Sequence, residues 1–276
     1  MDTANLGGRT VLVTGAGSGI GRETALLAAR RGADLVVCDV DEVGLAATEA
    51  DARALGRDVL ARRVDVSDRE QMSEFAAAVG EAVGAVDLLM NNAGVGLAAE
   101  FLETELSDWD WIVSINLLGV VHGCKLFVPP MVDRGIGGHV VNVSSAAGYL
   151  ASPVLTAYSS TKFAVLGLSE ALREELRPHG IGVTAICPGL INTPITMSSR
   201  TRGASSDPAR RERIAAMYRR RNYGPDRVAR NILKAVARNR TVAPVSPEAW
   251  FGYGLKRLSP RLTGWVARRT ADLGDR

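Results

Sequence analysis

Tyr158 and Lys162 stand four residues apart in AYSSTKFAVLGLSEALREEL, residues 157–176, a run whose remaining spacing is that of an amphipathic helix. On a helix that interval puts the phenol and the ammonium on one face. A free phenol ionises near pH 10, and service as a base near neutrality asks for ~3 units less, about 4 kcal/mol of differential stabilisation. A fixed ammonium nearby pushes in that direction. Ser145 precedes Tyr158 by 13 residues and closes the run GGHVVNVSS, where its hydroxyl can donate to an oxygen that gains charge. Ser144 offers the same group one residue earlier, but side chains alternate along a strand, so only one of the two faces the tyrosine. Asn116 interrupts the apolar helical run SINLLGVVHG, and the residues alone leave it as a core amide bonded to backbone or as a working group.

A second constellation lies at the start of the chain. VLVTGAGSGIGRETA sets Gly15, Gly19 and Gly21, with Ser18 and Ile20 between them, directly between a strand run and a helix run. Such a turn lets backbone approach a pyrophosphate while the following helix supplies N–H donors and the positive end of its dipole. Asp39 ends the second strand run, 24 residues after Gly15, where a carboxylate can accept hydrogen bonds from ribose hydroxyls. A 2′-phosphate there would meet like charge, and no Lys or Arg lies inside the turn or directly after Asp39. The expected cofactor is NAD in preference to NADP, with Arg22 the nearest basic residue.

The glycine spacing is TGxxxGxG, and with it the sequence resembles the short-chain dehydrogenase/reductase family of the single-domain kind. The ordered matches are Thr14–Gly21, Asp65, NNAG at Asn91–Gly94, Asn116, VNVSS at Asn142–Ser145, YSSTK at Tyr158–Lys162 and PGLINTP at Pro188–Pro194. Together they span roughly residues 8–245. The resemblance implies that Asp65 and Val66 flank the adenine and that Asn92, Ala93 and Gly94 line the middle of the cofactor. It further implies that Pro188, Gly189, Ile191 and Thr193 form the loop at the nicotinamide, Ile191 and Thr193 on its carboxamide. Lys162 holds the nicotinamide ribose next to Tyr158, Ser145 and Tyr158 meet the substrate oxygen, and Asn116 binds a water that links Lys162 to solvent. A homodimer or homotetramer packed partly through the fourth and fifth helices is implied as well.

These residues need a frame that gathers them. The runs TVLVTG, DLVVCD, VLARRVD, VDLLMNNAG, GGHVVNVSS and IGVTAICPG are short and rich in branched residues, and a longer helical pattern follows each. That alternation predicts βαβ units, hence an α/β fold with a doubly wound parallel sheet, the Rossmann fold. Helices are expected over 20–31, 41–55, 68–83, 108–133, 156–178 and 225–239. Pro129 and Pro130 should end or kink the fourth, and Pro178 with Gly180 should end the fifth. The organisation expected is one catalytic and NAD-binding domain over 1–245, followed by a basic amphipathic C-terminal extension over 246–276. Within the domain, Ser- and Arg-rich residues near 195–224 leave the sheet as a mobile lid with a short helix around 207–221.

Composition sets the outer bounds. No uninterrupted apolar run approaches the ~20 residues of a bilayer span, and MDTANLGGRTVLVTG has no secretory-signal pattern, so a cytoplasmic protein is expected. Cys38, Cys124 and Cys187 are odd in number and set in apolar runs, as reduced core thiols would be. His122, His139 and His179 form no ligand pair, and no metal site is expected. Charge is uneven: residues 200–276 hold 19 Lys/Arg against 6 Asp/Glu, while the first 199 hold 14 against 24. With no nucleic-acid module beside that charge, nucleic acid is not an expected partner.

Trp250, Phe251, Leu255, Leu258, Leu262, Trp265 and Val266 recur at near-helical spacing among Lys256, Arg257, Arg261, Arg268 and Arg269. Either this segment packs on its own or a neighbouring subunit, or it makes peripheral membrane contact, with Pro260 and three glycines weakening one continuous helix. The function expected is an NAD-dependent oxidoreductase acting on a small-molecule secondary alcohol or its ketone, uncharged or apolar in kind, such as a steroid, terpenoid or lipid. The alternatives are an NADP-dependent ketoreductase and a non-catalytic nucleotide-binding regulator or scaffold of the same fold.

Overall fold

Branched apolar runs closed by Gly, Asp or Asn become strands, and the amphipathic runs between them become the helices that cover those strands. A computed structural model describes residues 1–259. Strands β1 (Thr10–Thr14), β2 (Asp34–Asp39), β3 (Val59–Arg63) and β4 (Leu88–Asn91) alternate with helices α1 (Gly19–Arg30), α2 (Glu42–Ala54) and α3 (Arg69–Val83). Next come the short β5 (Leu97–Ala98) and then α4 (Leu106–Val113), which runs through a π-helical turn at Ser114–Leu118 into α5 (Gly119–Arg134). They are followed by β6 (Gly138–Val143), α6 (Thr156–Leu176) and β7 (Ile181–Cys187). The chain then forms α7 (Ile195–Ser198), β8 (Arg200–Thr201), α8 (Pro208–Arg221), α9 (Pro225–Ala237), β9 (Val242–Pro244) and α10 (Pro247–Leu258).

The main sheet is parallel throughout, in the order β3-β2-β1-β4-β6-β7-β9. Strand order reverses at β1, so the carboxyl ends of β1 and β4 flank the crevice where doubly wound sheets bind ligands. Alternation along the strands feeds two apolar layers. Val11, Val13, Leu35 and Val37 pack on one side with Leu26, Ala29, Ile232 and Val236 from α1 and α9. Leu12, Val36 and Leu89 pack on the other with Phe75, Phe127, Met131 and Val165 from α3, α5 and α6. Phe75 and Phe127 meet edge to face at 5.8 Å. Carboxylates cap helix starts: Asp41 accepts the Gly44 N–H, Asp68 those of Glu70 and Gln71, and Asp207 that of Ala209.

The prolines at 129 and 130 do not end the helix, for α5 passes through both and stops at Gly135, in the left-handed conformation at φ 71°. Phe127, Val128 and Met131 are buried around them, and that packing outweighs the missing N–H donors. Residues 106–134 taken together are long and apolar enough to cross a bilayer by length and composition, but their apolar side is core. Strands β5 and β8 pair with each other away from the main sheet. The expected Leu262, Trp265 and Val266 stripe, with Arg261, Arg268 and Arg269, lies outside the described residues.

Candidate active site

The glycine turn is fixed by its own crowding. Gly15 has φ 66°, and a Cβ there would lie 2.8 Å from the Ala93 Cα. At Gly21 a Cβ would lie 2.1 Å from the Gly15 carbonyl oxygen, so helix α1 can begin hard against the turn only without a side chain. Ser18 is the N-terminal cap position of α1 and Ile20 lies in its first turn. Thr14, which the sequence reading placed in the motif without a role, accepts the Asn92 and Ala93 N–H groups on its hydroxyl, both at 3.0 Å. The Asn92 amide in turn donates to the carbonyls of Thr14 and Gly15. Its side chain therefore ties the loop after β4 to the glycine turn.

Asp39 accepts the Gly17 N–H at 2.7 Å and the Asp41 N–H at 3.0 Å, which sets its carboxylate beside the turn. Arg22 is drawn the other way, onto Asp51 of α2. Asp65 accepts both the N–H and the hydroxyl of Ser67, and Val66, buried beside it, offers its carbonyl to the His122 ring at 2.9 Å.

Lys162 lies inside the protein, and its Nζ donates to the Val143 carbonyl at 3.0 Å. Burial lowers its pKa to about 8. An ammonium has three donors, so two remain after that bond, beside Gly94, where a Cβ would stand 3.5 Å from Nζ and 3.1 Å from Asn116 Oδ1. Spare donors on a buried cation next to a bare glycine suit a hydroxyl-bearing group such as a ribose. With the glycine turn and Asp39, these residues fit a dinucleotide laid along the carboxyl ends of the strands.

The Tyr158 phenol is half-buried, with the Lys162 Nζ 5.6 Å from its ring centroid. Burial pushes its pKa up, while the Ser145 side chain, within hydrogen-bonding reach, favours the ionised form. Lys162, to which the spacing assigns that stabilising work, stands beside the ring, and the Ser145 side chain joins it. The two serines are cleanly separated: Ser144 is buried and donates to the Lys162 carbonyl at 2.7 Å, whereas Ser145 accepts the Ala147 N–H and faces the tyrosine. Asn116 sits within the π-helical turn, and both ends of its amide bond the Val95 backbone, at 2.8 and 2.9 Å. Its side chain thus braces the loop that follows NNAG, with Oδ1 and the Lys162 Nζ both close to Gly94.

The loop after β7 completes the site. Pro188 accepts the Ala146 N–H at 2.7 Å, which locks it to the turn carrying Ser145. Ile191 is buried and Thr193 approaches Gly19 across the crevice. Gly189 and Leu190 press against Glu248, which the sequence reading passed over and whose Oε1 accepts the Leu190 N–H at 2.9 Å. Tyr149, in the wall after Ser145, donates to the Ala249 carbonyl at 2.7 Å. Cys124 and Cys187 are buried and free, their pKa values pushed up to about 12 by desolvation, as inert thiols. Among the described residues no cluster of His, Cys, Asp and Glu could hold a metal ion.

Comparison with known proteins agrees with this geometry. A family model described as short chain dehydrogenase matches residues 9–203. Over 266 residues the chain is 43% identical to a Mycobacterium tuberculosis protein named "Probable oxidoreductase EphD", covering 95% of this chain and 45% of that one. The chain thus spans about half the length of that curated relative. Estradiol 17-beta-dehydrogenase 11 of Macaca fascicularis is 38% identical over 192 residues, which is 68% of this chain and 64% of that one. The crystal structure of a short chain dehydrogenase/reductase from Burkholderia phymatum in complex with NAD matches with a TM-score of 0.85 at 34% identity, covering 95% of this chain and 96% of that one.

Proposed function

This chain belongs to the short-chain dehydrogenase/reductase family of oxidoreductases, and on that premise we propose that it uses NAD to interconvert a secondary alcohol and its ketone. The cofactor class, a nicotinamide dinucleotide, follows from the family and from its NAD-bound members. The observation that carries the reaction is the meeting of Tyr158 and Ser145 at one point, with the buried Lys162 ammonium 5.6 Å from the phenol ring centroid.

When bound, the dinucleotide supplies hydride exchange. In oxidation Tyr158 takes the hydroxyl proton, and in reduction it returns a proton to the same oxygen. Ser145 donates to that oxygen and holds it beside the phenol. Lys162 keeps a positive charge near the phenol and offers its two remaining donors to the nicotinamide ribose. The working state, phenolate with ammonium, carries the same number of protons as neutral tyrosine with neutral lysine, so the two groups lose their first proton as a pair. Lys162, with its pKa brought down to about 8, sets where that proton leaves.

NAD is favoured over NADP because Asp39 sets a carboxylate beside the glycine turn while Arg22, the basic residue that follows that turn, is engaged by Asp51. An uncharged, largely apolar substrate is favoured by the surroundings of Tyr158, which packs in a cluster with Leu97, Ile112, Ala157, Val95 and Trp111. A steroid alcohol, as in the name of the macaque relative, is of that kind. The reading takes the enzyme as a cytoplasmic homodimer or homotetramer. Exposed Trp250, Phe251 and Leu258 on α10 offer a face to a second subunit or to an anionic membrane surface, which sedimentation and vesicle flotation tell apart.

The deciding experiment is turnover of a panel of steroid, terpenoid, acyl and polyol alcohols and ketones with NAD(H) and NADP(H). Tyr158→Phe is expected to lower kcat/KM by roughly 10³-fold or more with NADH binding retained. Activity that this variant leaves unchanged overturns the reading.

A further inference from the structure

Glu248 occupies the first turn of α10, after Ser246 as cap and Pro247. A carboxylate there ordinarily does no more than complement the positive end of the helix. This one has three further partners. Its Oε1 accepts the Leu190 backbone N–H at 2.9 Å and the Ser246 hydroxyl at 2.7 Å, while Oε2 pairs with the guanidinium of Arg221.

The partners belong to two different walls of the cleft. Leu190 lies in the Pro188–Pro194 loop, beside the Ile191 and Thr193 that the family resemblance places at the nicotinamide. Arg221 is the last residue of α8, the helix of the 195–224 excursion, one turn beyond the half-buried Tyr218. Burial raises the pKa of the Tyr218 phenol, and negative charge on Tyr158 and Glu248 would raise it further, so α8 lies within electrostatic range of both. The loop contact is tight, since a Cβ on Gly189 would lie 2.3 Å from Glu248 Oε1. The ion pair is partly open to solvent, with side chains 29% and 31% exposed.

We propose that Glu248 is a positioning residue for the reaction: one carboxylate holds the nicotinamide-side loop through the Leu190 N–H and the substrate-side helix through Arg221, so that the two walls close together. The proposal rests on the dinucleotide oxidoreductase reading above. It divides the work between two chemical properties of one side chain. Accepting the Leu190 N–H needs only an oxygen, whereas holding Arg221 needs the charge.

Three variants separate these properties. Glu248→Gln keeps an acceptor for Leu190 and loses the charge, Arg221→Met removes the ion pair from the other side, and Glu248→Ala removes both. NADH affinity is read by fluorescence titration, and the hold on α8 by the rate of chymotryptic cleavage after Tyr218. Glu248→Gln and Arg221→Met are expected to bind NADH within about twofold of wild type and to be cleaved several-fold faster. With the ketone found active in the panel, KM should rise more than kcat falls. Glu248→Ala should show the same cleavage and, in addition, NADH binding weakened by roughly tenfold, the loss of one charge-assisted hydrogen bond.

Glu248→Ala binding NADH as tightly as wild type, or Arg221→Met leaving cleavage unchanged, overturns the proposal. So does Glu248→Gln weakening NADH as much as Glu248→Ala. A wild-type chain that binds neither NADH nor NADPH overturns the oxidoreductase reading itself, whereas wild-type binding without these variant effects overturns only the role given to Glu248.

Discussion

The two halves of the main sheet solve the problem of holding a ligand in different ways. Strands β1 and β2 have apolar interiors, Leu12, Val36 and Cys38 to one side and Val11, Val13, Leu35 and Val37 to the other, and they keep their polar work at the ends. Strands β4, β6 and β7 instead carry polar side chains through the core beneath Tyr158 and Lys162. Asn91 donates to Asn142 at 2.9 Å, Asn142 to Ser169 of α6 at 3.1 Å, and His139 meets Thr184 at 2.8 Å. A pyrophosphate asks only for backbone, which glycine and a helix start provide. A phenol, a hydroxyl and an ammonium must be aimed, and buried hydrogen-bonded pairs fix strand and helix positions more narrowly than apolar contact does.

The hardest blow to the second half is loss of its charge. Lys162→Met keeps the volume of the buried chain, removes the ammonium and is expected to lower kcat/KM for alcohol oxidation by roughly 10²–10³-fold. Wild-type oxidation should rise as the pH passes about 8, where the pair loses its first proton. Without the ammonium that rise should move above the ordinary phenol range, because burial holds the Tyr158 phenol protonated. An unchanged pH profile in the variant would mean that Lys162 serves the ribose alone.

Asn142→Ala strikes the frame rather than the chemistry. It strips the Asn91 amide of its Asn142 acceptor at a site where both residues are buried, at a cost of about 2–3 kcal/mol in urea unfolding. A loss below about 1 kcal/mol would put this pair on the same footing as ordinary core packing and weaken the contrast between the halves. On the cofactor side the expected effect is of specificity. Asp39→Ser should improve NADPH relative to NADH by roughly tenfold, about 1.4 kcal/mol, since it removes the like charge that a 2′-phosphate would face. Equal preference in both proteins would remove Asp39 as the selector.

The contrast also explains what could be read in advance. Strand and helix positions were legible because β1 and β7 are fully or almost fully buried runs dominated by apolar residues and α1 and α6 repeat at helical spacing, so periodicity and burial agree. Tyr158, Lys162 and Ser145 were legible because their spacing in sequence survives as adjacency on one helix and one strand end. Glu248 and Arg221 were not, since 27 residues and two further elements separate them and either one alone reads as a solvated helix charge. Asn116 was only half legible: that it matters could be inferred, but its bond to the Val95 backbone depends on the π-helical turn, which periodicity does not announce. Pro129 and Pro130 left open whether the helix would end there, and it does not, because local propensity is weaker than the burial of Phe127, Val128 and Met131 around them.

The smallest effect expected is in acid. Thr184 spends its hydroxyl proton on the Arg240 carbonyl at 2.6 Å, so at its contact with His139 it accepts, and His139 Nε2 is the donor. The other ring nitrogen, Nδ1, lies against Gly182, where a Cβ would stand only 2.5 Å away. Protonating it would leave a buried cation, and burial, with positive charge on the N-terminus and Arg173, takes the His139 pKa down from 6.5 to about 3. Between those two values the unfolded chain binds a proton that the folded chain refuses, so stability falls as the pH drops through that window. From pH 6.5 to 5.5 the loss is about 1 kcal/mol for this one group. A His139→Gln variant can keep the Thr184 bond and has no proton to gain, so its denaturation midpoint should fall less over that interval than the wild-type midpoint. Parallel slopes would show that the acid sensitivity of this half lies in other groups, and that its buried polar chain, unlike its active site, is indifferent to charge.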